Sequence, residues 1–253
     1  KEPRLTNDIN ITGTLNVLLA ARDAGVKRVV YSASSSAYGS KHPMPLSEDM
    51  APGPIIPYAI QKRVGEQYCE MASLFYGLET VSLRYFNAAG ATDKLGEDHS
   101  PETHLIPIVL KAALGKSGSK VKIFGTDYPT ADGTCIRDYV HVKDIARAHV
   151  LALNKLQSLI SNPQSLVSNP QSYNLGNGEG YSVKQVIQAA RQITGTAIPV
   201  EICPRRSGDP AVLVASSIKA KEGLGWQLRY NDIEEIIGSA WEWLRKHPEG
   251  YGD

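Results

Sequence analysis

The most informative stretch of this sequence is Lys27-Arg28-Val29-Val30-Tyr31-Ser32-Ala33-Ser34-Ser35-Ser36. Its β-branched and aromatic residues predict a buried strand over residues 26–33. The strand is followed at once by three serine hydroxyls, of which Ser34 is the first. Ligands bind at the carboxyl ends of strands in parallel α/β sheets, so we expect Ser34 at a ligand-binding edge.

A second motif places Tyr58 and Lys62 four residues apart, directly after Pro57, which is a typical first residue of a helix. Positions i and i+4 share one helix face, so the Lys62 ammonium is expected beside the Tyr58 phenol. A nearby cation lowers the pKa of a tyrosine from about 10 toward neutrality. With Ser34 on the same substrate oxygen, Tyr58 has the properties of a general base for alcohol–ketone redox chemistry.

The tyrosine–lysine pair is weak evidence by itself. With twelve tyrosines in the chain, chance supplies about 0.7 such pairs. The alternative is an exposed helix face that carries an amphipathic tyrosine and a solvated lysine. The serine-rich strand end beside it is what favours a catalytic interpretation.

Helical and strand patterns alternate around these motifs. Helical periodicity covers residues 10–24 and 58–76, and strand patterns cover residues 26–33 and 79–85. This alternation indicates an α/β fold with a parallel sheet and covering helices. A polar loop over residues 91–100 is then expected to lead into a second region.

Further motifs follow in a fixed order along the chain. They are Arg84-Tyr85-Phe86-Asn87-Ala88-Ala89-Gly90, His104-Leu105-Ile106-Pro107, the segment from Phe124 to Val142, Pro204-Arg205-Arg206-Ser207-Gly208-Asp209, Trp241-Glu242-Trp243 and His247-Pro248-Glu249-Gly250-Tyr251. Together with Ser34, Tyr58 and Lys62, this order resembles the UDP-glucose (UDP-galactose) 4-epimerases of the extended short-chain dehydrogenase/reductase family. Several motifs in one order are far more specific than any single one.

The resemblance implies an NAD-dependent isomerase with Ser34, Tyr58 and Lys62 as catalytic residues. It implies cofactor contacts from Asn10, Ser34, Tyr58, Lys62, Tyr85 and Phe86. It implies substrate contacts from Ser34, Tyr58, Asn87, His104, Leu105, Phe124, Arg137, Arg206, Asp209 and Leu213. No residue is expected to bind a metal.

Two arginines are the strongest binding candidates, because guanidinium forks match diphosphate geometry. By resemblance, Arg137 and Arg206 hold the diphosphate, whereas Arg205 is expected to be solvated. The alternative for Arg137 is an ordinary ion pair with its neighbour Asp138.

The resemblance gives other residues roles that compete with plainer alternatives. Phe124 matches the position where uracil packs, or it is a core residue. Asp209 accepts from ribose hydroxyls, or it is a loop acid. Asn87 donates to the substrate, or it forms a turn. Leu213 matches a position that helps to set how large the sugar can be.

A glycine-rich strand–turn–helix that holds the NAD pyrophosphate is also implied, but this sequence does not contain one. The glycine cluster Gly176-Asn177-Gly178-Glu179-Gly180 lacks the required spacing and predicts a tight turn before a helix over residues 183–194, capped by Ser182. Roughly 90 residues, or three βα units, would be absent. We therefore expect a truncated chain that by itself binds NAD poorly and turns over little or no substrate.

The expected architecture is an N-terminally truncated Rossmann-like parallel sheet with a smaller α/β substrate domain. Residues 1–90, joined by residues 134–157, are expected to form the remainder of the NAD-binding domain. Residues 91–253 are expected to bind the nucleotide sugar. A seven-residue tandem repeat over residues 159–172 predicts an exposed loop, because two copies cannot form a solenoid.

Composition excludes several classes of protein. A net charge of +1, from 27 basic and 26 acidic residues, argues against nucleic-acid binding. No apolar run reaches the 18 or so residues typical of a membrane span. Three widely separated cysteines (Cys69, Cys135 and Cys203) fit a reduced cytoplasmic setting, not a disulfide framework or a zinc site.

The function implied is interconversion of UDP-glucose and UDP-galactose by C4 oxidation, rotation of the 4-keto sugar and re-reduction. The family's dimer pairs the helices at residues 10–24 and 58–76, so a homodimer is expected. A 4,6-dehydratase is disfavoured, because Ser35 and Ser36 replace its Asp-Glu pair. An epimerase of UDP-N-acetylhexosamine or UDP-glucuronate and a non-catalytic UDP-sugar-binding or dimerising remnant remain open.

Overall fold

The computed structural model describes residues 2–115, 120–160 and 171–251. Its helices are α1 (Pro3–Asn7), α2 (Gly13–Asp23), α3 (Pro57–Tyr76), α4 (Leu105–Ala113), α5 (Val142–Ile160), α6 (Val183–Thr194), α7 (Ile218–Leu224) and α8 (Ile233–Lys246). Its strands are β1 (Arg28–Ser34), β2 (Glu79–Tyr85), β3 (Asn87–Ala89), β4 (Val121–Phe124), β5 (Ile136–Arg137), β6 (Tyr139–His141), β7 (Gln171–Leu175), β8 (Tyr181–Ser182), β9 (Val200–Cys203) and β10 (Val212–Leu213). Residues 161–170 of the duplicated segment lie outside the described residues.

The chain divides into two compact units. Unit 1 comprises Lys1–Phe86, Ala146–Leu175 and Ala215–Gln227, and unit 2 comprises Asn87–Ile145, Gly176–Val214 and Leu228–Asp253. The chain was expected to return to the first unit over residues 134–157. This division assigns Ala146–Leu175 and Ala215–Gln227 to unit 1, whereas β5 and β6 pair with strands of unit 2.

Unit 1 is built on a parallel sheet with the strand order β1-β2-β7. The register places Ser34 opposite Tyr85, and Tyr85 opposite Leu175, so the three strands end at one level. Helices α2 and α3 pack together over Leu18, Cys69, Ala72 and Leu78. The parallel arrangement confirms the expected α/β class and gathers the strand ends at one edge.

Strand β1 departs from the prediction of a buried strand. Val29, Val30 and Tyr31 are only half-buried, although Ala33 is buried. Within the described residues β1 pairs with β2 alone, so it is an edge strand of this sheet. The apolar run in the sequence indicated the strand correctly, but it predicted a more fully buried strand than the structure has.

Helix α3 has clear sequence signals at both ends. It begins at Pro57, where the missing N–H costs no hydrogen bond, and it ends at Gly77, whose φ of 67° is a left-handed conformation that favours glycine. Its buried residues include Ala59, Cys69 and Ala72. The expected span of 58–76 is therefore confirmed. By contrast, helical structure begins at Pro3 rather than at residue 10, because a π-helical turn (Asp8–Thr12) joins α1 to α2.

Unit 2 is held together by an apolar cluster from α4, α6 and α8 with β4 and β6. Strand β4 pairs with β9 in parallel, and β3 pairs with β6. Helix α6 begins with a capping box between Ser182 and Gln185. None of the helices in the described residues combines the length and apolarity that crossing a bilayer requires.

Asp138 separates the short strands β5 and β6. The Asp138 carboxylate is buried and accepts hydrogen bonds from the backbone N–H groups of Asn177, at 2.6 Å, and Gly178, at 3.0 Å. Asp138 thus fixes the glycine-containing turn after β7 rather than pairing with Arg137. The glycine cluster forms a turn, as expected, with a φ of 87° at Gly178.

A buried histidine in unit 2 makes the stability of the protein depend on pH. His141 Nδ1 accepts the Lys143 backbone N–H at 3.0 Å, so the ring proton is on Nε2, which lies 3.1 Å from the Ser239 hydroxyl. Burial, with a contribution from Lys143, lowers the pKa of His141 to about 4. The imidazole is therefore a neutral structural group.

Acid is accordingly expected to destabilise the protein through His141. The unfolded state gains a proton below about pH 6.5, whereas the folded state gains it only near pH 4. Stability therefore falls as the pH falls through this window, by at most about 1.4 kcal/mol per pH unit. Denaturant midpoints measured across the window for the protein and for His141→Asn check this: the variant should have the shallower slope, and equal slopes would contradict the assignment.

Candidate active site

Ser34 is placed by the junction of β1 with a short 3₁₀ turn, Ser35–Tyr38. It caps that turn: its hydroxyl accepts from the Ser36 backbone N–H at 3.2 Å and from the Ser36 hydroxyl at 2.9 Å. The register puts Ser34 level with Tyr85 on β2. The expectation of a serine hydroxyl at the carboxyl edge of the sheet is met by this geometry.

Tyr58 and Lys62 lie in the first two turns of α3, on one helix face. Tyr58 is 48% exposed, whereas Lys62 is half-buried. Burial lowers the pKa of Lys62, and the nearby Glu66 carboxylate partly offsets this effect. Within the described residues, no hydrogen bond engages Tyr58 Oη or Lys62 Nζ, so both groups are available to a ligand.

The Lys62 ammonium contacts a tyrosine that the sequence did not point to. Lys62 Nζ lies 4.9 Å from the centre of the Tyr31 ring, a cation–π contact, rather than in a hydrogen bond to Tyr58. A Cβ on Gly65 would meet the Tyr31 hydroxyl at 2.1 Å, so Gly65 is what lets this ring lie against α3. Burial raises the pKa of Tyr31 to about 12, so its ring is neutral beside Lys62.

A buried ion pair joins helix α3 to strand β2. Arg84 of β2 donates two hydrogen bonds to Glu66 of α3, from Nε at 2.8 Å and from a terminal nitrogen at 2.9 Å. Its other terminal nitrogen donates to Tyr38 Oη at 2.8 Å, and Tyr38 donates to Asn174 of β7 at 2.7 Å. Burial alone would lower the pKa of Arg84, but the hydrogen bonds and charge interaction with Glu66 outweigh burial, so the pKa is raised and Arg84 stays charged.

This network joins the serine turn, α3, β2 and β7, and so it fixes the elements that carry Ser34, Tyr58 and Lys62. Sequence reasoning missed it. The available signal was Glu66, four residues after Lys62 and therefore on the same helix face. A second missed group is His149, whose Nε2 lies 2.7 Å from Tyr85 Oη.

The remaining cofactor candidates of unit 1 have partners within the chain. Tyr85 Oη also contacts the Ser32 hydroxyl at 2.8 Å, and Phe86 is buried. The Asn10 side-chain amide donates to Gln61 Oε1 at 2.9 Å, which ties the π-helical turn to α3. Asn10 is thus a bridging residue as well as a cofactor candidate.

Unit 2 brings Arg137, Asp209 and Leu213 together. Arg137 is largely buried, and its guanidinium donates to Asp209 and to the Ile136 carbonyl oxygen, the latter at 2.7 Å. Leu213 lies directly opposite Arg137 in the β5–β10 pair. The alternative partner proposed for Arg137, Asp138, is occupied elsewhere, so Asp209 is the acid that orients this guanidinium.

Phe124 and Arg206 form the adjoining part of the same unit. The Arg206 guanidinium lies 3.8 Å from the centre of the Phe124 ring, and the Arg206 carbonyl accepts the Asp209 N–H at 3.3 Å. Arg205, expected to be solvated, is exposed but holds the Asp127 carboxylate at 2.7 Å. Four predicted substrate residues therefore form one patch: Phe124, Arg137, Arg206 and Asp209.

Three other substrate candidates lie elsewhere in unit 2. The Asn87 side-chain amide donates to the Asp138 carbonyl oxygen at 2.8 Å, and Asn87 begins strand β3 rather than forming a turn. His104 immediately precedes α4 and contacts Glu102, and Leu105 is the first residue of that helix. The structure gives these residues internal contacts, and their roles toward a substrate stay predictions.

Comparison with known proteins fits this arrangement. Residues 1–176 match the model of the NAD dependent epimerase/dehydratase family. The UDP-glucose 4-epimerase of Halalkalibacterium halodurans is 47% identical over 99% of this chain and 73% of its own length.

Solved structures give the same result. A crystal structure of a UDP-glucose 4-epimerase superposes with a TM-score of 0.92 at 43% identity, over 100% of this chain and 74% of its own. That of the Brucella ovis UDP-glucose 4-epimerase in complex with NAD gives a TM-score of 0.88 at 40% identity, over 95% and 72% of the two chains. The chain therefore belongs to the NAD dependent epimerase/dehydratase family, in which these relatives are UDP-glucose 4-epimerases.

Proposed function

We propose that this protein interconverts UDP-glucose and UDP-galactose, using NAD without net consumption. The observation that carries the proposal is the Tyr58 hydroxyl and Lys62 ammonium, left without hydrogen-bond partners in the described residues, on the helix beside the Ser34 strand end. A phenol, a cation and a serine hydroxyl are the groups that oxidation of a secondary alcohol requires. The similarity to UDP-glucose 4-epimerases supports the choice of sugar nucleotide.

The residues present fit a nicotinamide cofactor. Tyr58 and Lys62 offer a hydroxyl and an ammonium, a donor set suited to a ribose, at the carboxyl edge of a parallel sheet where such cofactors bind. We propose that Asn10, Tyr85 and Phe86 also contact it. When bound, NAD supplies the hydride acceptor and donor for the sugar carbon.

Residues of the chain transfer the proton of the sugar 4-hydroxyl. Tyr58 removes the proton of the sugar 4-hydroxyl and returns it after the sugar has turned, while the Ser34 hydroxyl hydrogen-bonds the same oxygen. Lys62, whose ammonium lies over the Tyr31 ring, places a positive charge on the same helix face as Tyr58. Glu66 and Arg84 act through position, because they fix α3 against the sheet.

Unit 2 contains the residues that are proposed to bind the nucleotide. We propose that Arg137 and Arg206 hold the diphosphate and that the uracil packs at Phe124. Asp209, already bonded to Arg137, accepts from the ribose and keeps the guanidinium aimed. Asn87, His104, Leu105 and Leu213 complete the substrate contacts. Because binding energy is placed on the nucleotide, the sugar is left free to turn.

The neighbouring residues Arg205 and Arg206 give a matched test of nucleotide binding. Arg206→Ala is expected to weaken UDP binding by about 10- to 100-fold, the value of a charge-assisted hydrogen bond. Arg205→Ala, whose guanidinium already serves Asp127, should change it by less than about threefold. Isothermal titration with UDP measures both. Equal losses in the two variants would remove Arg206 from the diphosphate site.

A substrate panel tests the function itself. The full-length protein is incubated separately with UDP-glucose, UDP-N-acetylglucosamine, UDP-glucuronate and dTDP-glucose, and the products are identified by NMR. Conversion of UDP-glucose to UDP-galactose is expected. Preference for the acetylated or acidic sugar supports another epimerase, a 4-keto-6-deoxy product supports a dehydratase, and UDP binding with no turnover supports a non-catalytic remnant.

We propose a homodimer formed through α2 and α3 with the segment before them. Their exposed apolar side chains include Leu5, Ile9, Val17, Leu74 and Phe75. Val17→Glu with Leu74→Glu should convert a dimer to a monomer in sedimentation measurements, and an unchanged mass would contradict this interface.

We also propose the cytoplasm as the compartment, since the three cysteines are unpaired; a secreted, oxidised form would contradict this.

A further inference from the structure

Three metal-ligating side chains lie close together in unit 2, in the loop before α4: His99, Glu102 and His104. One ligand atom from each lies within 4.8 Å of the other two. His104 Nδ1 is 2.9 Å and His99 Nδ1 is 4.0 Å from Glu102 Oε1. Tetrahedral zinc with bonds of roughly 2.0–2.2 Å needs ligand atoms about 3.3 Å apart, so small side-chain rotations suffice.

The Glu102 carboxylate is an independent indication of a missing ligand. Its side chain is only 7% exposed. Oε1 accepts the backbone N–H groups of Thr103 and His104, each at 2.7 Å, which fixes the carboxylate. Oε2 is buried and has no hydrogen-bond partner in the part of the chain that the structure describes. A buried carboxylate oxygen without a donor is costly, and a cation would remove that cost.

The surroundings favour a cation and give it a way in. His99 and His104 are both exposed. The adjoining cavity, of about 250 Å³, has four carboxylate residues in its lining against one lysine, Lys111. Their combined field raises the local concentration of divalent cations. Two imidazoles and one carboxylate, without thiolates, suit zinc and similar transition metals better than calcium or magnesium.

We propose that His99, Glu102 and His104 bind one divalent transition-metal ion of the zinc type, with water in the remaining position. The ion would fasten the loop over residues 99–104 to the first turn of α4. The cysteine spacing that argued against a zinc site does not bear on this one, because it uses no cysteine. Because His104 is also among the proposed substrate contacts, the substitutions that test the metal site are made at His99 and Glu102.

The test is titration of the complete protein with Zn²⁺ after chelator treatment, followed by calorimetry and by metal analysis of the dialysed protein. One ion per chain is expected at this site. His99→Ala and Glu102→Gln should each weaken binding at least about tenfold. His42→Ala, which removes a histidine of unit 1, should leave the affinity unchanged.

Co²⁺ distinguishes this site from binding by the three free cysteines. Bound at His99, Glu102 and His104, Co²⁺ should show visible d–d absorption without a thiolate charge-transfer band, and His99→Ala should abolish that absorption. The proposal is overturned by no measurable binding of Zn²⁺. It is equally overturned by binding that survives both ligand substitutions, or by a Co²⁺ spectrum dominated by thiolate charge transfer.

Discussion

Replacing Tyr58 by phenylalanine is expected to lower kcat for UDP-glucose epimerisation by the full-length protein about 10²- to 10⁴-fold. The ring and its packing are retained, but the hydroxyl that we propose as the general base is lost. Because the proposed nucleotide contacts lie in unit 2, the affinity for UDP should not change. Steady-state kinetics with UDP titration separates the two effects.

A matched control for this substitution is available on the same helix. Tyr68→Phe removes a hydroxyl from α3 but leaves Tyr58 in place, and it should retain nearly full activity. The assignment of Tyr58 fails if Tyr58→Phe keeps kcat within about tenfold of the unsubstituted protein. It also fails if the two variants lose activity equally, since the loss would then reflect the helix rather than the phenol.

The second large effect is on stability. Glu66→Leu is expected to lower the free energy of unfolding by about 3–5 kcal/mol, because it leaves the buried Arg84 guanidinium without its carboxylate. Denaturant unfolding measures the loss. Glu70→Gln, which removes the exposed partner of Arg63, should cost less than about 1 kcal/mol.

The double variant Glu66→Leu with Arg84→Met separates charge from packing. Removing both charges should recover much of the loss, because no uncompensated ion remains buried. If the double variant is as unstable as the sum of its parts, the damage comes from packing. The ion pair is then not what holds α3 against β2.

Periodicity and end signals were sufficient for most of the fold. The bounds expected for β2 (79–85) and α6 (183–194) agree with the structure, because β-branched runs and the Ser182 cap are local signals. The division of the chain was less well anticipated. Short strands such as β5 depend on pairing with distant residues, which a local pattern does not reveal.

The sequence predicted which residues form the candidate site better than it predicted which partners those residues contact. The i, i+4 spacing correctly placed Tyr58 and Lys62 on one face, but the ammonium packs against Tyr31, from a different element. Likewise, Arg137 bonds Asp209, 72 residues away, rather than its neighbour Asp138. Such long-range partners follow from tertiary packing, and no spacing rule in one sequence identifies them.

The most direct measurement is epimerisation of UDP-glucose in D₂O, with the product examined by NMR. In the proposed mechanism Tyr58 and Ser34 act only on the hydroxyl proton, so UDP-galactose should form with protium retained at C4. Deuterium at C4 would mean that the carbon is deprotonated to solvent, and failure to form UDP-galactose would mean that these residues do not act on this sugar. Either result would contradict the assignment of Ser34, Tyr58 and Lys62.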